Sequence, residues 1–394
     1  MLKKISNFPF VNSKIFTFVI SAILITFYLY QDLTKWSLIT YVGAQGGITY
    51  IDAYTVLFYA ECFSQVGNFV FEYGPICPAW ANGSGLLRLL DIIGAGTVDT
   101  ALFGHVFTYL IIFTFVYFLY LLRAYRYAQI VLFFGLISPP NWLLMERGNF
   151  DSLMYLLVFL SAILLFKGFT VTSIILLASS TLMKFYTLPL LVILFLLNKK
   201  IYIKVFIIIT FLLTVLLVLS DFNKIHNFPH TAGNNHFGMR IIGNYLGKIN
   251  IKLTMPIANI LGLFLLIICV ILIFIFLLKF EPELFQKQLF TPVVEVFYLL
   301  MSGAFLACFI AGLSVDYRLI FYVVSAPFTI ILLKRWHKLF ASSLFLISVW
   351  FSYPSGIFQT IGDLALEIMV ALQIIIFIVL IKGRDTNAHE RKLL

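Results

Sequence analysis

Charge is the first thing this sequence lacks. Only 11% of its 394 residues are Asp, Glu, Lys or Arg, whereas 62% are hydrophobic. A soluble domain carries about a quarter charged residues and roughly half apolar ones. So few charges exclude a soluble globule of this size. Cysteine is also scarce: Cys62, Cys77, Cys269 and Cys308 are the full set, and no pair has zinc-site spacing. Cys269 and Cys308 lie in apolar runs and read as packing residues. Cys62 and Cys77 share one loop and can pair if that loop faces an oxidising compartment. His226, His230 and His236 are spaced by four and six, which is no recognised zinc pattern, so no metal is expected. No small-residue cleavage site follows the first apolar run, since Tyr28, Tyr30, Gln31 and Asp32 stand there. That run therefore reads as a retained first span. An internal repeat of the kind common in secondary transporters is absent too.

What the sequence has in abundance is apolar runs of about 13 to 24 residues, most near the length that crosses a hydrocarbon core. The fold class expected is an all-α polytopic membrane protein. Twelve spans are predicted, at about 15–31, 99–122, 127–143, 151–166, 168–183, 186–198, 201–220, 257–278, 293–312, 319–333, 339–351 and 366–381. Lys and Arg in the connecting loops set the orientation. With both ends cytoplasmic, 18 of the 27 basic residues fall inside but only five of the 17 acidic ones. The membrane is expected to be the inner or plasma membrane. The net charge of +10 is scattered between hydrophobic spans, so nucleic acid is not an expected partner. Residues 382–394 read as a basic cytoplasmic tail touching membrane lipids.

The polar chemistry gathers on the opposite face. Two long segments lie there, 32–98 and 221–256, within a single domain over 1–381. The first is acidic. The second carries His236, Arg240 and several lysines. Short outer turns add Glu146-Arg147-Gly148-Asn149-Phe150-Asp151, Lys184 and Asp316-Tyr317-Arg318. Such a face can offer a carboxylate to take a proton from a hydroxyl, and cations to hold a phosphate. Simpler roles stand beside these. Asp151 suits a helix N-terminus and Asn149 a cap. Asp32 reads as a solvated or helix-terminal carboxylate. His105 reads as a satisfied core residue, and as the only ionisable group more than about a turn inside a span, apart from the basic loops.

The order of these motifs resembles a known family. Arg147-Gly148-Asn149 with Asp151, then an apolar hairpin, then Leu182-Met183-Lys184-Phe185-Tyr186 is similar to bacterial membrane glycosyltransferases of the GT-C superfamily. These include polyprenol-phosphate-mannose-dependent mannosyltransferases. In that family a proline directly follows the aromatic; here Pro189 stands three residues past Tyr186. Asp316-Tyr317-Arg318, Asp52 in Tyr50-Ile51-Asp52-Ala53-Tyr54, and Tyr73-Gly74-Pro75 are also similar to the family. The resemblance covers about residues 45–350.

It implies a GT-C-like bundle whose first outer loop lies over a catalytic cavity. It also implies an inverting hexosyl transfer, with mannose the expected sugar. A polyprenyl-phosphate sugar is the donor substrate and a lipid or glycan the acceptor, and no cofactor is needed. By resemblance, Asp52 is the expected base. Arg147, Lys184 and Arg318 are expected at the phosphate, His236 at the phosphate or orienting the base, Asn149, Asp151 and Asp316 at the cations or sugar hydroxyls, Tyr54, Tyr73 and Tyr186 at the sugar or lipid head, and Tyr317 among the substrate-binding residues. Three other readings stay open: a transporter or flippase of a lipid-linked sugar, a polysaccharide polymerase or ligase, and a purely structural membrane component.

Overall fold

The computed structural model describes residues 13–34, 50–67, 83–222, 236–237, 255–281, 284, 291–310, 314–351 and 357–386. Their architecture is all-helical. In chain order the helices are α1 Ser13–Thr34, α2 Ile51–Val66, α3 Ser84–Ile92, α4 Thr100–Leu121, α5 Arg126–Leu136, α6 Pro139–Glu146, α7 Asp151–Phe166, α8 Thr170–Met183, α9 Pro189–Leu197 and α10 Ile201–Phe222. Then come α11 Met255–Phe280, α12 Pro292–Ile310, α13 Ile320–Ile331, α14 Arg335–Phe351 and α15 Ile357–Thr386. One short antiparallel pairing joins His236–Phe237 to Ser314–Val315.

The helices fall close to the predicted spans, but their lengths bear differently on the expected twelve crossings. Among the described residues, five helices are long and apolar enough to cross a membrane: Thr97–Leu121, Ile201–Asp221, Ile260–Phe280, Pro292–Ile310 and Ile357–Lys382. Others, such as α7, α8 and α9, have 16, 14 and nine residues, short of the roughly 20 that a straight crossing needs. These lengths make the chain a multi-pass membrane protein.

Several boundaries follow from local chemistry. The predicted span 127–143 is two helices, α5 and α6, bent by 49°. Pro139 and Pro140 open α6 after the extended Ser138, because proline lacks the N–H that a continuing helix would need. The turn between α7 and α8 closes on Gly168 at φ +86°, a left-handed conformation that glycine adopts without a Cβ clash. The last helix begins at Ile357, not at 366. It also runs on to Thr386, into the segment read as a tail. Asp363 and Glu367 lower the hydropathy of its first turns without breaking it. Glu367 thus lies well inside a membrane-length helix, so His105 is not the only ionisable group at depth.

α12 is central, packing against α7, α9, α13 and α15. Phe297 on α12 meets Phe118 of α4 and Phe159 of α7 at ring distances of 5.5 and 5.3 Å. By contrast, α10 and α11 leave long rows of Leu, Ile and Phe exposed. Lipid tails are as apolar as leucine, so such a face is stable against them without a protein partner. A second, smaller core gathers Tyr50, Ala53, Leu57, Leu86, Leu87, Phe107 and Phe150. It packs α2 and α3 against one end of the bundle and carries the polar groups described next.

Candidate active site

The site is built where one helix ends and another begins. α6 stops in a left-handed C-cap at Gly148. Gly148 N–H donates to the Met145 carbonyl at 3.0 Å, and Asn149 N–H to the Leu144 carbonyl at 3.2 Å. This is the Schellman pattern, in which glycine serves as the left-handed residue. The last α6 carbonyls then meet the first amides of α2. Tyr50 N–H donates to the Glu146 carbonyl at 3.1 Å, Asp52 N–H to the Arg147 carbonyl at 3.0 Å, and Ala53 N–H to the same carbonyl at 3.3 Å. Donors left over at one helix start are satisfied by acceptors left over at another helix end. Two segments almost a hundred residues apart are thereby fixed together.

The side chains follow from that join. Asp52, in the first turn of α2, takes an ion pair through Oδ1 from Arg147 Nη2. Its Oδ2 accepts from Asn149 Nδ2 at 2.6 Å. The other end of the Asn149 amide, Oδ1, accepts from Asp151 N–H at 2.7 Å and so starts α7. Capping and site geometry therefore share one side chain.

Asp151 is fully buried. Its Oδ1 accepts from Lys184 Nζ at 3.0 Å and from Tyr186 OH at 2.7 Å. Its Oδ2 accepts from Arg318 Nε at 3.1 Å. The Arg318 guanidinium also lies over the Tyr186 ring, 5.0 Å from its centre. Lys184 stands in the turn after α8, which a hydroxyl network secures: Thr187 Oγ1 meets Ser180 and Thr181 hydroxyls, each at 3.0 Å. Burial pushes the Lys184 ammonium below the usual lysine range, and Asp151 pulls it back up. Asp52 also acts on Lys184 electrostatically, so the Asp52 and Asp151 groups form one field.

The structure thus brings together Asp52, Arg147, Asn149, Asp151, Lys184, Tyr186 and Arg318, which the sequence places in four separate segments. Tyr54 lies on α2, two residues past Asp52, and is about 40% exposed. The backbone of Asp316, Tyr317 and Arg318 forms a short 3₁₀ turn ahead of α13. His236 is in register with Val315, which ties the second long segment to this turn. Tyr73 and the side chains of His236, Asp316 and Tyr317 lie outside the described residues. No group of three or more potential metal ligands is found among the described residues.

Two residues nearby depart in part from expectation. Asp32 is helix-terminal, in the last turn of α1, but it is not solvated: its side chain is 8% exposed and pairs with His105 Nδ1 at 3.1 Å. Tyr50 OH donates to Asp32 Oδ1 at 2.6 Å, and Tyr109 OH to Oδ2 at 3.0 Å. His105, in turn, is no core residue, with 45% of its side chain exposed. No local pattern could have shown this, because the partners come from α1, α4 and the residue before α2. Cys62 is disulfide-bonded, while Cys269 and Cys308 are outside any disulfide. Cys77 lies outside the described residues.

Gly148 offers a direct check on the helix join. A Cβ there would sit 3.0 Å from Tyr50 Cβ and 3.3 Å from Ala53 Cβ, on a backbone at φ +57°. Gly148→Ala is expected to lose about 1–2 kcal/mol from the left-handed backbone alone. The crowding of α2 adds to that loss. Thermal unfolding in detergent would read it.

Comparison with known proteins returns no match: no family model matches the chain, no curated protein does, and no solved structure does. The functional reading therefore rests on the chemistry of the site and on the order of its motifs.

Proposed function

We propose that the protein is an integral membrane hexosyltransferase of the GT-C type. It moves a hexose, mannose by resemblance, from a polyprenyl-phosphate donor to a lipid or glycan acceptor. The observation that carries this reading is a contrast between two carboxylates. Asp151 is enclosed, with both oxygens engaged by cations and a tyrosine hydroxyl. Asp52 is 14% exposed and keeps its position through Arg147 and Asn149. Of the two, Asp52 is the one accessible to a substrate, so it takes the role of base while Asp151 organises cations.

The cations point to the donor. Arg147, Lys184 and Arg318 lie beside Asp52 and Asp151, and Arg and Lys are the side chains that bind a phosphate by charge-assisted hydrogen bonds. In the proposed step, Asp52 accepts the proton of the acceptor hydroxyl. That oxygen forms a bond to the anomeric carbon from the face opposite the phosphate. The bond from the anomeric carbon to phosphate oxygen breaks, and polyprenyl phosphate leaves with the bonding pair. A second negative charge then develops on the phosphate, and cations preset around it lower that barrier. One base suffices, in contrast to the paired carboxylates of a hydrolase.

The reading places this end of the bundle outside the cytoplasm, with both chain ends inside. The disulfide at Cys62, on α2, supports an oxidising compartment on that side. The short helices are read as crossings broken or shortened around the site. One observation favours the transporter reading instead: Asp363 and Glu367 lie within a membrane-length helix, where acidic groups often mark an ion path.

Nanodiscs containing the protein, radiolabelled polyprenyl-phosphate mannose and a membrane lipid extract separate the two. Transfer gives labelled product and released polyprenyl phosphate. Intact donor that merely changes leaflet would refute the transferase.

A further inference from the structure

Tyr50 is the one non-glycine residue among those described that has a positive φ, at 61°. It sits immediately before α2 and two residues before Asp52. Left-handed backbone at a bulky residue persists only where its surroundings impose it, and such positions cluster at functional sites. Here the imposing groups are all identifiable. The Tyr50 ring lies against α4 so closely that a Cβ on Gly104 would be 2.3 Å from it. Its Cβ faces Gly148, and its N–H is held by the Glu146 carbonyl. Its hydroxyl donates to Asp32 and approaches His105 Nδ1 at 3.1 Å. Burial and the Asp32 carboxylate push that hydroxyl well above the usual tyrosine range, so it stays a hydrogen-bond donor at any physiological pH.

We propose that Tyr50 is a positioning residue for Asp52, clamped through its hydroxyl by Asp32 and His105. The clamp fixes the first turn of α2 against the end of α6, and with it the distance from Asp52 to Arg147 and Asn149. Tyr109 OH, bonded to the same Asp32 oxygen as His105, completes the anchor. Asp32 is thus the hub of a cluster that touches no reacting group yet sets where the reacting carboxylate stands. The inference rests on Asp52 being the base of the proposed transfer, but its geometry can be read without any turnover.

The test is carbodiimide labelling of the Asp52 carboxylate, quantified by mass spectrometry on nanodisc protein, alongside transfer kinetics. Tyr50→Phe keeps the ring packing and removes the hydroxyl. Severalfold faster labelling at Asp52 is expected. With it, kcat should fall roughly tenfold or more while KM hardly moves, since a small misplacement of a reacting group acts on the chemical step. Asp32→Ala should reproduce both effects, and Asp32→Asn, which keeps an acceptor oxygen, should restore part of each. Unchanged Asp52 labelling in both Tyr50→Phe and Asp32→Ala overturns the proposal, whatever the transfer assay reads. Faster labelling in a protein whose Asp52→Asn form is fully active upholds the positioning and removes the base role from Asp52.

Discussion

Asp52→Asn is expected to abolish most transfer, by about 10²–10⁴-fold, the usual contribution of a positioned general base. The amide is nearly the same size and can still accept from Arg147 or Asn149. Donor binding should persist, because Lys184 and Arg318 keep their pairing with Asp151. The loss should therefore appear in kcat rather than in KM. Asp52 is partly exposed and its neighbours are polar, so folding should survive. A melting curve close to wild type together with lost turnover is the expected pair of readings.

Asp151→Asn should act through stability instead. The carboxylate is fully buried, and Lys184 beside it is 7% exposed at the side chain. Removing one partner of a buried ion pair strands the other charge and costs about 3–5 kcal/mol. Here two cations would lose their shared carboxylate, Lys184 at 7% exposure and Arg318 at 20%. The asparagine amide would also present N–H donors beside Lys184 and Arg318, which have only donors to offer. Loss of folded protein in detergent, or a strongly lowered melting temperature, is expected. Lys184→Met should cost less, because Arg318 and Tyr186 OH continue to satisfy Asp151. An Asp151→Asn protein as stable as wild type would contradict the geometry.

These two carboxylates also show how far the sequence could be read. Arg147, Asn149 and Asp151 stand in one short turn, and their caps follow from residue type: Gly148 as the left-handed stop, Asn149 as the start of α7. Lys184 and Arg318 could be assigned to the same face by counting spans. The join between α6 and α2 was not legible, because backbone carbonyls and amides leave no residue-type signal. Nor was the Asp32, His105 and Tyr50 cluster, which depends on α1 packing against α4. Hydropathy located most of the helices but not their lengths as crossings. The bend at Pro139 and the polar start of α15 show why. Apolar composition marks burial in lipid or protein alike, whereas a break depends on single residues such as Pro139.

The most direct test of the central claim is a side-by-side transfer measurement with wild type and Asp52→Asn in nanodiscs. Both are given labelled polyprenyl-phosphate mannose at the same measured donor occupancy. Labelled product from wild type alone, with released polyprenyl phosphate in equal amount, is the predicted result. Equal product from both proteins, or none from either while donor is bound, would contradict Asp52 as the base of a sugar transfer.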